Sequence, residues 1–141
     1  MSIERETAGQ PESQASEPFA YLYPQKYVLL QTFRKSGDAV ATTVWFANEN
    51  GRLYITTSPV AGKVKRIRSN GRVTMTPCNG SGKVIGDGRE VAGKARELPV
   101  NERSHPDQLL AHKYGFMYNI LGFVMKLRKM QNTIIEIEPV Q

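Results

Sequence analysis

From Tyr27 onward, short runs of strand-forming residues alternate with turn residues, and this spacing restricts the fold more than any other feature of the chain. "YVLLQTFR" (27–34) is rich in β-branched and aromatic side chains, and the turn residues "KSGD" follow it. "AVATTVWFA" (39–47) is nearly continuous in apolar and β-branched residues, which predicts a strand buried on both faces. "NENG" gives a further turn before "RLYITT" (52–57), so these three runs predict an antiparallel meander. "RVTMTPC" (72–78), "REVAGKARELP" (89–99) and "NTIIEIEPV" (132–140) supply three more strands, the last with Ile135 and Ile137 on one face and Glu136 and Glu138 on the other. Between the third and fourth strands, Ser58 followed by Pro59 reads as an N-cap and first helical position. Val60, Val64 and Ile67 then recur at i, i+4 and i+7, one apolar stripe on a short helix. Residues 101–130 predict helix in two pieces, broken near Gly115. The sum is a mainly β (α+β) chain: a six-stranded small barrel with a short helix after the third strand and helices before the last.

The opening stretch is different. "MSIERETAGQPESQASEP" has almost no apolar residues to offset its ordering entropy, so residues 1–18 are expected to form a mobile tail ahead of a folded domain at 19–141. A chain of 141 residues with 40% hydrophobic content has enough material for one buried core. The acidic N-terminus carries no leader-like apolar stretch, and "FMYNILGFVM" (116–125) is too short to span a bilayer. A cytoplasmic protein without a membrane span is expected. Cys78 is the single cysteine, so no internal disulfide can form. His105 and His112 are the only histidines, and no metal site is expected from them.

Charge narrows the function. The formal total is +6, but residues 1–18 hold Glu4, Glu6, Glu12 and Glu17 against Arg5 alone, a local −3 that leaves +9 for the rest. "AGKVKRIRSNGR" (61–72) concentrates Lys63, Lys65, Arg66, Arg68 and Arg72 with no carboxylate. A solvated helix face with snorkelling stems is the plain reading. The functional one is an anion site: Lys63 and Arg66 stand one turn apart behind a helix N-terminus, and Thr56, Thr57 and Ser58 bring hydroxyls to the same place, a combination suited to a phosphate monoester. Nucleic acid is not expected, because Trp45, Phe46 and Tyr54 lie on strands where they pack rather than interleave with the cations. "KLRK" (126–129) is a second basic cluster. "CNGSGKVIGDG" (78–88) fails as a phosphate loop, since Pro77 and Val84 occupy the places of its first glycine and its hydroxyl, and a hairpin turn is expected instead. "FMYNILGFVMKLRKM" could lie in a membrane interface, but packing on the barrel or on a partner subunit is the favoured expectation. No nucleophile or acid–base constellation is spaced for catalysis, so no catalytic residue is assigned and a cofactor is expected to carry any chemistry.

The order of "YVLLQTFRKSGDAVATTVWF", "GRLYITTSPVAGKVKRIRSNGRVTMTPC", "GKAREL", "HKYG" and "IIEIEP" resembles the split-barrel flavin and deazaflavin oxidoreductases, and within them the pyridoxamine-phosphate-oxidase-class enzymes that depend on coenzyme F420. The resemblance runs from about Phe19 to Pro139. It implies an FMN-binding-like six-stranded split β-barrel that forms a homodimer with the cofactor in a groove between subunits. It further implies that Lys63 takes the cofactor phosphate, with Arg66, Thr57 and Ser58 assisting, and that Thr43, Val44 and Trp45 lie on the strand lining the ring. Hydride would pass between the deazaflavin and a small molecule of quinone, enone or tetrapyrrole type, with no protein nucleophile. The anionic oligoglutamate tail of F420 suits the +9 domain, with Arg66, Arg68 and Lys65 as candidates to meet it. FMN in the same fold, and a non-catalytic F420-binding or storage protein, are the alternatives.

Overall fold

The computed structural model describes residues 17–129 and 131–140; most of the expected tail lies outside them. Seven strands form one antiparallel sheet: β1 (Tyr27–Phe33), β2 (Ala39–Trp45), β3 (Ala47–Glu49), β4 (Arg52–Thr57), β5 (Arg72–Cys78), β6 (Val91–Glu97) and β7 (Thr133–Pro139). Their order across the sheet is β2-β1-β5-β6-β7-β4-β3. β2 and β3 stand at opposite edges, yet only Phe46 separates them in sequence. The two edges must therefore approach each other, and the sheet curls into a half-barrel.

This corrects three expectations. There are seven strands rather than six, because the run at 39–47 breaks at Phe46 and its end pairs with β4 as a separate strand. The first three runs do not lie side by side as a simple meander: β2 pairs with β1 at one edge of the sheet, while β3, the continuation of the same run, pairs with β4 at the other. Nor is β2 buried on both faces. As an edge strand it buries Val44 and leaves Ala39 and Ala41 exposed.

Alternation along β1 sends Val28, Leu30 and Thr32 inward, where they meet Phe46, Leu53, Ile55, Val73, Met75, Ile135 and Ile137. Phe19 and Leu22, on either side of the start of a 3₁₀ turn at Ala20–Leu22, close one side of this core. Helix α1 (Gly62–Ser69) adds Val64 and Ile67, each contributing about 1.5–3 kcal/mol of burial. The third residue of the expected stripe does not join them. Val60 is 74% exposed, because the helix begins at Gly62 with Ala61 as its N-cap. Ser58 and Pro59 instead form a preceding turn, in which the Ser58 carbonyl accepts from Ala61 N–H at 3.1 Å.

A second cluster lies outside the sheet. After a 3₁₀ turn at Val100–Glu102, helix α2 (Ser104–Tyr114) packs Leu110 against Ala47, Tyr54, Leu98 and Ile134. The start of β7 is consequently covered on both faces. Gly115, at φ 59°, breaks the helical segment as expected and redirects the chain into α3 (Phe116–Leu127). The glycine-rich stretch after β5 is a hairpin loop, organised by Asn79 Oδ1, which accepts from Ser81 and Lys83 N–H groups.

Candidate functional site

Helix α1 divides its cations between two edges. At about 100° per residue, Lys63 and Arg66 lie roughly 60° apart, while Arg68 lies about 140° from Lys63 in the other direction. The two edges meet quite different surroundings.

On the first edge, Lys63 Nζ donates to Thr57 Oγ1 at 3.4 Å, at the end of β4. The side chain is half-buried, and burial, followed by the nearby Arg66 charge, holds its pKa below the ordinary lysine value. Arg66 Nε donates to Thr32 Oγ1 at 2.7 Å, and that threonine is buried on β1. The guanidinium folds back over the helix start, where a Cβ on residue 62 would stand 2.9 Å from Arg66 Nη1. Glycine at 62 therefore lets it rest there. The first turn has no side-chain cap, so its leading N–H groups are left without an intrahelical partner beside these two cations. Ser58 Oγ adjoins this group but accepts from Val60 N–H at 3.3 Å. Among the described residues, no carboxylate lies within ion-pair distance of Lys63 or Arg66.

On the second edge, Arg68 donates from Nε and Nη2 to both carboxylate oxygens of Glu97, at 2.7 and 3.1 Å. Glu97 also accepts from Thr133 Oγ1 at 2.6 Å and lies 3.7 Å from Arg103 Nη2. The hydrogen bond from Arg68 is the main cause holding the Glu97 carboxyl below its ordinary pKa. Arg68 is thus already paired and stands apart from Lys63 and Arg66.

The β2 residues make their contacts elsewhere. Val44 is buried in the core. Thr43 Oγ1 faces the β5–β6 loop, where a Cβ on Gly82 would stand 2.8 Å from it. It also hydrogen-bonds the buried Cys78 thiol, whose pKa burial pushes up. Trp45 stacks on Tyr114 with centroids 4.5 Å apart and planes at 7°, and tilts against Tyr118 at 6.4 Å. The Tyr114 hydroxyl accepts from Phe46 N–H at 2.9 Å, pinning the chain where β2 gives way to β3, and burial pushes its pKa up to about 12.

Two contributors were not among the expected site residues. Gly62 carried no signal beyond its place in the basic stretch. Thr32 did carry one, as the polar residue in the inward-facing series Val28, Leu30, Thr32. A cleft of about 750 Å³ was likewise unexpected; Thr56, Arg103, Asp107, Tyr118, Phe123 and Asn132 are among its lining residues. Thr56 and Thr57 point to opposite faces of β4, so this cleft and the Lys63 cradle lie on opposite sides of one strand. In the cleft, Asn132 Nδ2 donates to Thr56 Oγ1 at 2.9 Å and the Tyr118 hydroxyl donates to Asp107. Burial first, then Asp107, pushes the Tyr118 pKa far above the phenol range.

Solved structures share this architecture. The heme storage protein HutZ from Vibrio cholerae matches with a TM-score of 0.66 and 12% identity, over 94% of this chain and 90% of its own. A FAD-binding protein from Mesorhizobium loti matches at 0.60 and 19%, over 90% and 88%. A candidate pyridoxamine 5′-phosphate oxidase from Listeria innocua matches at 0.59 and 16%, over 94% and 95%. At these identities the likeness shows the fold alone, a curled antiparallel half-barrel with flanking helices. No protein-family model matches the sequence, and no curated protein matches it. Among the described residues no helix is long and apolar enough to cross a membrane, and no group of three metal-ligating side chains is present.

Proposed function

We propose that this chain is an oxidoreductase that binds coenzyme F420 as a homodimer and acts on a small molecule of quinone, enone or tetrapyrrole type. The observation that carries the reading is the convergence of Lys63, Arg66 and the Thr57 hydroxyl on the uncapped first turn of α1, without a carboxylate among the described residues. Burial and the Arg66 charge lower the proton affinity of Lys63, an anion would offset both, and a phosphate matches the spacing of the two cations and the N–H groups beside them. Lys63 and Arg66 would hold the cofactor phosphate, with Thr57 and Ser58 assisting. Thr43 and Trp45, on the face of β2 opposite the buried Val44, would lie toward the ring, and the exposed edge of β2 is available to a second copy. When bound, the deazaflavin supplies the hydride chemistry. The residues of the chain are then left to bind it, orient it and keep water from it.

FMN in the same place is the second reading. It is favoured by the convergence of two cations without a carboxylate among the described residues, since Arg68 is taken by Glu97, and two cations suit a single phosphate. Calorimetric titration with F420 and, separately, with FMN separates the two, the ligand bound at the lower concentration being the cofactor. Mixing the reduced F420 complex with quinones, enones and tetrapyrroles then tests turnover. Oxidation by one of them supports the enzyme, whereas tight binding without oxidation by any would identify a storage protein.

A further inference from the structure

Helix α3 is the least covered element of the described structure. Phe116, Met117, Ile120, Leu121, Phe123, Val124 and Leu127 are all exposed, Phe116 to 77% and Leu127 to 68%. At about 100° per residue they form one continuous arc of roughly 160° that carries no polar side chain of the helix. Tyr118, on the opposite side, is buried against the body of the protein. The arc therefore faces outward. Monomeric soluble proteins rarely present so large an apolar patch without a use for it.

The charge around the helix identifies the occupant. From residue 108 to residue 135 the sequence contains no Asp or Glu, while it contains Lys113, Lys126, Arg128 and Lys129. Lys126, Arg128 and Lys129 are exposed at the C-terminal end of α3 and form no ion pair among the described residues. Asp107, the carboxylate beside this helix, is held by the Tyr118 hydroxyl on its buried side, so the three cations at the helix end are left to an occupant that brings negative charge. An anionic lipid surface would take the apolar arc into its acyl boundary and offer negative headgroups to the three cations at the helix end. The helix is too short to span a bilayer, so it would lie on the surface.

We infer that α3 is an interfacial anchor by which this protein docks on anionic membranes. The cleft bounded by Tyr118, Phe123 and Met125 opens beside the same helix, so a bound ligand there would lie next to the lipid. Lys63 and Arg66 take no part in the docking, and loss of cofactor binding would leave it intact.

The test is co-sedimentation of the full chain with vesicles of phosphatidylcholine, with and without about one-third phosphatidylserine, at low and high salt. Binding is expected on the phosphatidylserine vesicles, weakened tenfold or more by high salt, by Phe123→Glu/Leu127→Glu, and by Lys126→Glu/Arg128→Glu/Lys129→Glu. Circular dichroism and light scattering on each variant, which alter exposed positions only, establish fold and oligomeric state. Failure of the wild-type chain to sediment with either vesicle would overturn the inference. So would sedimentation that neither variant weakens. A wild-type dimer that Phe123→Glu/Leu127→Glu converts to monomer, without vesicle binding, would assign the face to a second copy instead.

Discussion

The two edges of α1 carry the same kind of side chain in opposite circumstances. Arg68 has a bidentate carboxylate partner in Glu97, which is itself braced by Thr133 and Arg103. Among the described residues, Lys63 and Arg66 have only threonine hydroxyls as partners, and Lys63 lies within the field of the Arg66 charge. An arginine whose charge is met within the fold contributes to the fold. A lysine and an arginine pressed together, half-buried and without a carboxylate, are arranged for an anion that arrives from outside. A basic stretch in a sequence does not distinguish these cases, because partners such as Glu97 come from distant strands.

Breaking the unpaired edge has the largest expected effect. Lys63→Ala/Arg66→Ala should weaken cofactor binding by about a hundredfold or more in calorimetry, since each charge-assisted hydrogen bond contributes about 1.5–3 kcal/mol. Glu97→Gln strikes the paired edge and should leave affinity unchanged while lowering the melting temperature by a few degrees. Its folded pKa is depressed, so the stability it contributes is present above the ordinary glutamate range and is lost as pH falls through the lower folded value. Thermal melts of wild type and Glu97→Gln should therefore converge in acid. Gly62→Ala sharpens the comparison more gently. The new Cβ displaces the Arg66 guanidinium, which is the end of a flexible chain, so affinity should fall about fivefold, roughly 1 kcal/mol, with no loss of stability.

Lys113 provides a third case, a cation with no carboxylate or hydrogen-bond partner among the described residues. Its Nζ is buried without a hydrogen-bond partner, 3.5 Å from the centre of the Phe46 ring, and burial lowers its pKa to about 8. The folded value lies below the ordinary 10.5, so unfolding takes up a proton between them and stability should rise as pH climbs through that interval. Lys113→Met should raise the melting temperature slightly at pH 7 and flatten this rise, as scanning calorimetry across the pH range would show.

Much of the fold was legible because strand alternation and turn residues are local signals. β1, β4, β5, β6 and β7 lie where their apolar and β-branched runs predict them, and the helix break falls at Gly115, where a positive φ is needed. The division of 39–47 into two strands was not legible, because Phe46 is as good a strand former as its neighbours. The break is imposed from outside, by the Tyr114 hydroxyl on the Phe46 main chain. Val60 read as core for a similar reason. Its spacing fits the helical stripe, but the turn at Ser58–Ala61 starts the helix later. In the candidate site, the nearness of Lys63, Arg66 and Thr57 could be read from one turn of helix behind a strand end. The pairing of Arg68 with Glu97 and the stacking of Trp45 on Tyr114 could not, because each joins residues far apart in sequence.

The most direct measurement is the affinity of coenzyme F420 for the wild-type chain, Lys63→Ala and Arg68→Ala, obtained side by side from quenching of the single tryptophan and from calorimetry. Loss of affinity by about tenfold or more in Lys63→Ala, with Arg68→Ala within about twofold of wild type, is the predicted result. Equal affinity of Lys63→Ala and wild type, or a larger loss in Arg68→Ala, would contradict the assignment of the unpaired edge to the cofactor phosphate.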